Sequence, residues 1–126
     1  MKKILRLILL VLLATIVLST TVFAVEPRWT NVDNLWLTIN SSTYSCTVDG
    51  HTGTTKMECT MTLYEQDWLG NRTEVAHYSG TYNGRYHVFT GNYNMQSGKT
   101  YILTMDGVVT CNGVSETISC TTERRF

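Results

Sequence analysis

The sequence predicts an antiparallel β-sandwich of about seven short strands. Three observations point there. Apolar and polar residues alternate with a period of two in seven successive runs. Turn-forming residues separate those runs. Beyond residue 24, no stretch repeats its apolar residues at the 3.6-residue spacing of a helix.

The first run alternates Leu35, Leu37 and Ile39 with Trp36 and Thr38. The second sets Tyr44, Cys46 and Val48 against Ser45 and Thr47, and the third sets Met57, Cys59, Met61 and Leu63 against Glu58, Thr60 and Thr62. The fourth opens with Val75 and His77, or Ala76 and Tyr78, as its inner pair. The fifth is read with Tyr86, Val88 and Thr90 inward. Tyr101, Leu103, Met105, Gly107, Val109 and Cys111 form one face of a long sixth run. Val114, Glu116, Ile118 and Cys120 form one face of the seventh. Threonine, valine, isoleucine and tyrosine fill these runs, as pleated structure favours.

Turns fall between them. Asp49-Gly50 and Thr52-Gly53 part the second run from the third. Asp67 to Asn71 closes the third onto the fourth, and Gln96-Ser97-Gly98 precedes the sixth. Asn83-Gly84 reads as a tight turn, with His77 facing Thr90 and Gly80 facing His87. Asn112-Gly113 is the strongest hairpin signal and sets Cys111 against Val114 and Met105 against Cys120. Seven such strands in about 100 residues predict an immunoglobulin-like or fibronectin-like antiparallel sandwich. Tyr101, at the start of the sixth strand, sits where such folds place a tyrosine corner.

Residues 1–24 are read as a cleaved signal peptide preceding a single domain, residues 25–126. Lys2, Lys3 and Arg6 start it, Ile4 to Leu18 supply an apolar run, and Val22-Phe23-Ala24 supply a cleavage site after Ala24. That run is short for a membrane span, and no cationic cluster follows to stop transfer. The expected product is secreted and extracellular, with no membrane association after cleavage. It keeps seven Lys and Arg against ten Asp and Glu, a net charge of −3. Nothing basic remains gathered for phosphates, so nucleic acid is not an expected partner.

Four cysteines in a small exported domain predict two disulfides. Their successive spacings of 13, 52 and 9 include no zinc-ligand pair, so no metal or other cofactor is expected. Strand parity points Cys46, Cys59, Cys111 and Cys120 into the sandwich. Cys111 and Cys120 are too far apart along their hairpin to bond, which leaves Cys46 with one of them and Cys59 with the other. The favoured pairing is Cys46–Cys120 and Cys59–Cys111, each worth about 4 kcal/mol on a chain-entropy model.

Candidate ligand-binding side chains are aromatic: Trp36, Trp68, Tyr78 and Tyr82, read with Tyr64 as outward-facing or in turns, and Trp29, five residues past the expected cleavage site. The plainer reading is that several cap the sandwich or cover strand edges. Catalytic residues are not evident. Asp49 and His51 share a loop, but no serine carries a nucleophile motif. Glu116 has inward parity and is expected beside solvent at the open end of its hairpin.

Several pieces carry a resemblance. They are Glu26-Pro27-Arg28-Trp29, Tyr44-Ser45-Cys46-Thr47-Val48, Gly53 to Met57 leading into Thr60 to Tyr64, Ser97 to Tyr101, and Asn112 to Thr117. In these the chain resembles a group of small secreted proteins of Gram-positive bacteria. The resemblance implies a single β-sandwich domain of unassigned function and supplies no site residues. Cys59, Cys111 and Cys120 depart from it, as does the Arg124-Arg125-Phe126 end, where a terminal cysteine is expected. The functional expectation is a secreted non-catalytic binding module for an extracellular ligand, a glycan or a cell-surface protein. A bacteriocin-like effector is the alternative, and a small hydrolase using Asp49 and His51 the third reading.

Overall fold

Each alternating run becomes a strand. A computed structural model describes residues 29–126; the leader, its cleavage after Ala24 and the product's first residues lie outside the described residues. The strands are β1 (Val32–Ile39), β2 (Thr43–Gly50), β3 (Thr54–Gln66), β4 (Arg72–Tyr82), β5 (Tyr86–Asn92), β6 (Thr100–Cys111) and β7 (Val114–Arg125). All pairings are antiparallel. One sheet runs β1-β2-β5 and the other β4-β3-β6-β7.

Their inner faces share one core. Tyr44, Cys46, Val48 and Phe89 come from the three-stranded sheet. Met57, Met61, Leu63, Leu103, Met105, Val109 and Ile118 come from the other. Tyr44 lies across Gly91, where an added Cβ would come within 2.2 Å of its ring, so the aromatic needs a residue with no side chain there. The β6–β7 turn is built as expected: Asn112 and Gly113 take φ of 51° and 78°, Cys111 faces Val114 and Met105 faces Cys120. Tyr101 is fully buried, and its hydroxyl accepts the Gln96 N–H at 2.8 Å. Phe126 closes that end of the core, edge-on to Tyr101 at 5.9 Å.

Three expectations need correction. First, Asn83-Gly84 does not join a hairpin. β4 pairs with β3 and β5 with β2, so the chain crosses between sheets there, and His77 and Gly80 do not face Thr90 and His87. Second, β5 is turned over. Phe89 is buried, while Tyr86 and Val88 face solvent. Both parities offer bulky residues, and the pairing of Phe89 with Cys46 decides between them.

Third, all four cysteines are free thiols. Cys59 faces Gly107 on β6, whereas Cys111 faces Thr54. Four residues of strand, about 13 Å, therefore separate Cys59 from Cys111, beyond disulfide reach. The Cys111 thiol points instead to the Thr52 carbonyl at 3.5 Å. Cys46, in the middle of its sheet, meets the thiol of Cys59 rather than bonding to Cys120 on edge strand β7. The hydrogen bond with Cys59, with burial second, pushes the Cys46 thiol well above its ordinary range.

Candidate functional site

The five candidate aromatics separate into three places. Tyr78 and Tyr82 lie on β4, along the flank where β4 meets β5. Tyr78 packs on Phe89 with ring centres 6.3 Å apart, and Tyr82 stacks on His87 at 4.1 Å. His87 in turn meets Phe89 edge-on at 4.6 Å. These rings pack against one another along that flank.

Trp68 lies apart from the other four at the β3–β4 turn, is 91% exposed, and borders a second, charged pocket of about 340 Å³ with Glu65, Lys99 and Arg125. Asp67 builds that turn: its Oδ1 accepts the Leu69 and Asn71 N–H groups at 3.0 and 2.8 Å, and its carbonyl accepts that of Gly70.

Trp29 and Trp36 come together on the opposite flank. There β1 and β7, the edge strands of the two sheets, border a groove of about 500 Å³. Leu35, Trp36 and Leu37 form one wall, Ser119 to Thr122 the other, and Trp29 completes it. Leu35 and Leu37 lean on the core, while Trp36 stands at the rim. Across the outer face behind Trp36 lie Thr47 and then Val88.

Hydrogen bonds hold the groove at both ends. At one end Glu116 accepts the backbone N–H groups of Thr30 and Asn31 at 3.0 and 2.9 Å. Asn31, itself buried, donates through Nδ2 to the carbonyls of Val109 and Val114. At the other end Arg124 Nη1 donates to the Ile39 carbonyl at 2.6 Å. Glu116 thus lies opposite Val109 at the turn end of its hairpin, not at the open end as expected, and its carboxylate is partnered by two N–H groups. Between these latches no side chain crosses the gap with a hydrogen bond among the described residues.

The groove is electrically quiet. Among the described residues, its lining includes no Asp, Glu, Lys, Arg or His. Its titratable member, Cys120, has its pKa raised to about 11 by burial, with the charges of Cys59 and Asp106 adding. The thiol is therefore protonated at neutral pH.

The Asp49–His51 pair of the hydrolase reading is not brought together by a hydrogen bond. His51 Nδ1 lies 2.8 Å from Asp33 Oδ1, and Asp49 accepts instead from Asn34 at 3.4 Å. Arg85 reaches Asp33 at 3.8 Å and donates through Nε to the Gly50 carbonyl, so this exposed cluster ties the β2–β3 loop to its neighbours. Among the described residues, no three His, Cys, Asp or Glu side chains gather as metal ligands.

Leu35, Leu37, Ser119, Thr121 and Thr122 carry no functional signal in the sequence. Their role follows from β1 and β7 both being edge strands on the same flank, a fact of topology. No family model matches the chain, and no curated protein matches it.

Proposed function

We propose that this chain is a secreted, non-catalytic binding module that holds its ligand in the groove between β1 and β7. It is exported by its leader, cut after Ala24 and released as the acidic product, in keeping with the Gram-positive secreted group it resembles. Its sandwich is of the immunoglobulin-like class, fibronectin-like in strand order. The three-on-four arrangement and the Tyr101–Gln96 bond support that assignment.

One observation carries the binding reading: two tryptophans border a preformed groove, with no charged side chain in its lining among the described residues, that hydrogen bonds hold at both ends. The test compares retention of the protein on isolated Gram-positive cell walls and on a glycan array with that of Thr121→Arg. This change puts a long cation at an exposed position of the groove lining. Retention lost in the variant supports the reading. Equal retention of both, or of neither, refutes it. The N-terminal residue of the exported product is expected to be Val25, which Edman sequencing reads directly.

A further inference from the structure

We infer that the groove between β1 and β7 takes a neutral polysaccharide, seated with sugar rings against Trp29 and Trp36 and its hydroxyls on the β7 wall. This rests on the binding-module reading and adds the chemical class of the ligand.

The two walls differ in chemistry. The β1 side supplies Leu35, Trp36 and Leu37, and the β7 side supplies three hydroxyl-bearing residues, Ser119, Thr121 and Thr122, with Trp29 also in the lining. A pyranose ring with equatorial substituents has the same division. Its faces present C–H groups, whose slight positive charge suits the negative face of an indole. Its rim presents hydroxyls, and each Ser or Thr hydroxyl can both donate to and accept from them.

Charge narrows the class. An ionised ligand would leave water for a lining with no opposite charge among the described residues, which is unfavourable. Glu116 and Arg124, which flank the groove, are already engaged by backbone groups of their own chain. The volume of about 500 Å³ lies within the range of small-ligand sites and suits a short run of rings. An added peptide strand would draw its affinity from the open ladder of an edge strand. Any sandwich edge offers that ladder, and it does not call for two tryptophans in the lining.

The experiment is calorimetric titration of the full chain, recovered as its host processes it. The probes are cellohexaose, chitohexaose, xylohexaose and mannohexaose. Hexagalacturonate serves as an acidic control and an alternating Thr-Val hexapeptide as a strand control. At least one neutral hexaose is expected to bind. Trp36→Ala should weaken it by about tenfold or more, Trp36→Phe should restore much of the loss, and Trp68→Ala should change nothing. Thermal melts of the variants check that each is folded.

Binding of the acidic or peptide probe alone, with the same dependence on Trp36, overturns the sugar assignment and leaves the binding-module reading standing. No binding by any hexaose overturns the sugar assignment as well, and the cell-wall comparison then decides the wider reading independently. Hexaose binding that Trp36→Ala and Thr121→Arg both leave unchanged overturns the groove as its site.

Discussion

Along one flank of the sandwich, edge strands β4 and β5 approach each other and fill the space between them. Tyr78, Phe89, His87 and Tyr82 pack in sequence, with ring centres between 4.1 and 6.3 Å apart. Along the other flank, the hydrogen bonds that tie edge strands β1 and β7 among the described residues lie near their ends, formed by Glu116 and Asn31 at one and Arg124 at the other. There Trp36 stands at the rim of a groove, and Trp29 lines it while partly buried against the core. In the sequence the two sets look alike, as tyrosines and tryptophans scattered through alternating runs. The difference lies in direction: rings aimed across the gap become core, and rings beside a gap held open by polar latches remain available. A latch fixes the spacing of two sheets without occupying the middle.

Breaking the filled flank should have the largest effect. Phe89 is 1% exposed and touches both Tyr78 and His87. Phe89→Ala removes that contact and opens a cavity, for an expected loss of about 3–5 kcal/mol in denaturant unfolding. A loss below about 1 kcal/mol would mean that the flank is not packed as described. Next comes a latch on the open flank. Asn31→Ala strips partners from the Val109 and Val114 carbonyls and is expected to lower stability by about 1–3 kcal/mol. It should also weaken ligand binding, because the segment carrying Trp29 keeps its backbone bonds to Glu116 but loses its side-chain anchor to Val109 and Val114. Unchanged binding would show that the latch does not position the groove.

This contrast also marks what could be read from the chain beforehand. Asn112-Gly113 set the β6–β7 register correctly, because a two-residue turn with positive φ at both positions leaves one pairing for its strands. Tyr101 was legible for a similar reason, since its partner Gln96 lies only five residues away. Asn83-Gly84 carries the same turn chemistry and misleads, because pairing with β2, more than 30 residues upstream, draws β5 into the other sheet. The wrong face assigned to Tyr86 and Val88 comes from that one event. The disulfide expectation fails likewise: parity says that a thiol points inward, but not which thiol it meets across the sheets. Trp29 and Trp36 were recognisable as candidates, whereas their groove depends on which strands end up at an edge.

Alkaline titration should sharpen the comparison from within the open flank. Cys120 titrates at about 11 in the folded protein, raised from an ordinary 9.0 by burial. A pKa raised on folding means that the protonated thiol favours the native state. Its stabilising contribution is complete below pH 9 and is lost as pH climbs through about 11. The upward shifts of Cys46 and Tyr44 act with the same sign. Denaturant midpoints measured between pH 8 and 11 should therefore fall, and should fall less in Cys120→Ala. An identical decline in that variant would place the alkaline lability elsewhere in the core.

The smallest expected change in stability belongs to Trp36→Ala. Its indole is 47% exposed and sits at the rim rather than in the core, so truncation should lower stability by about 1 kcal/mol or less. Phe89→Ala removes a smaller ring at several times that cost. The two substitutions together test whether aromatics on the two flanks do different work. If Trp36→Ala were as damaging as Phe89→Ala, the indole would have to be packed between the sheets in solution. The groove would then be closed and the two flanks alike. If stability barely moves while hexaose binding is lost, the open flank is held open by its latches, and Trp36 serves the ligand rather than the fold.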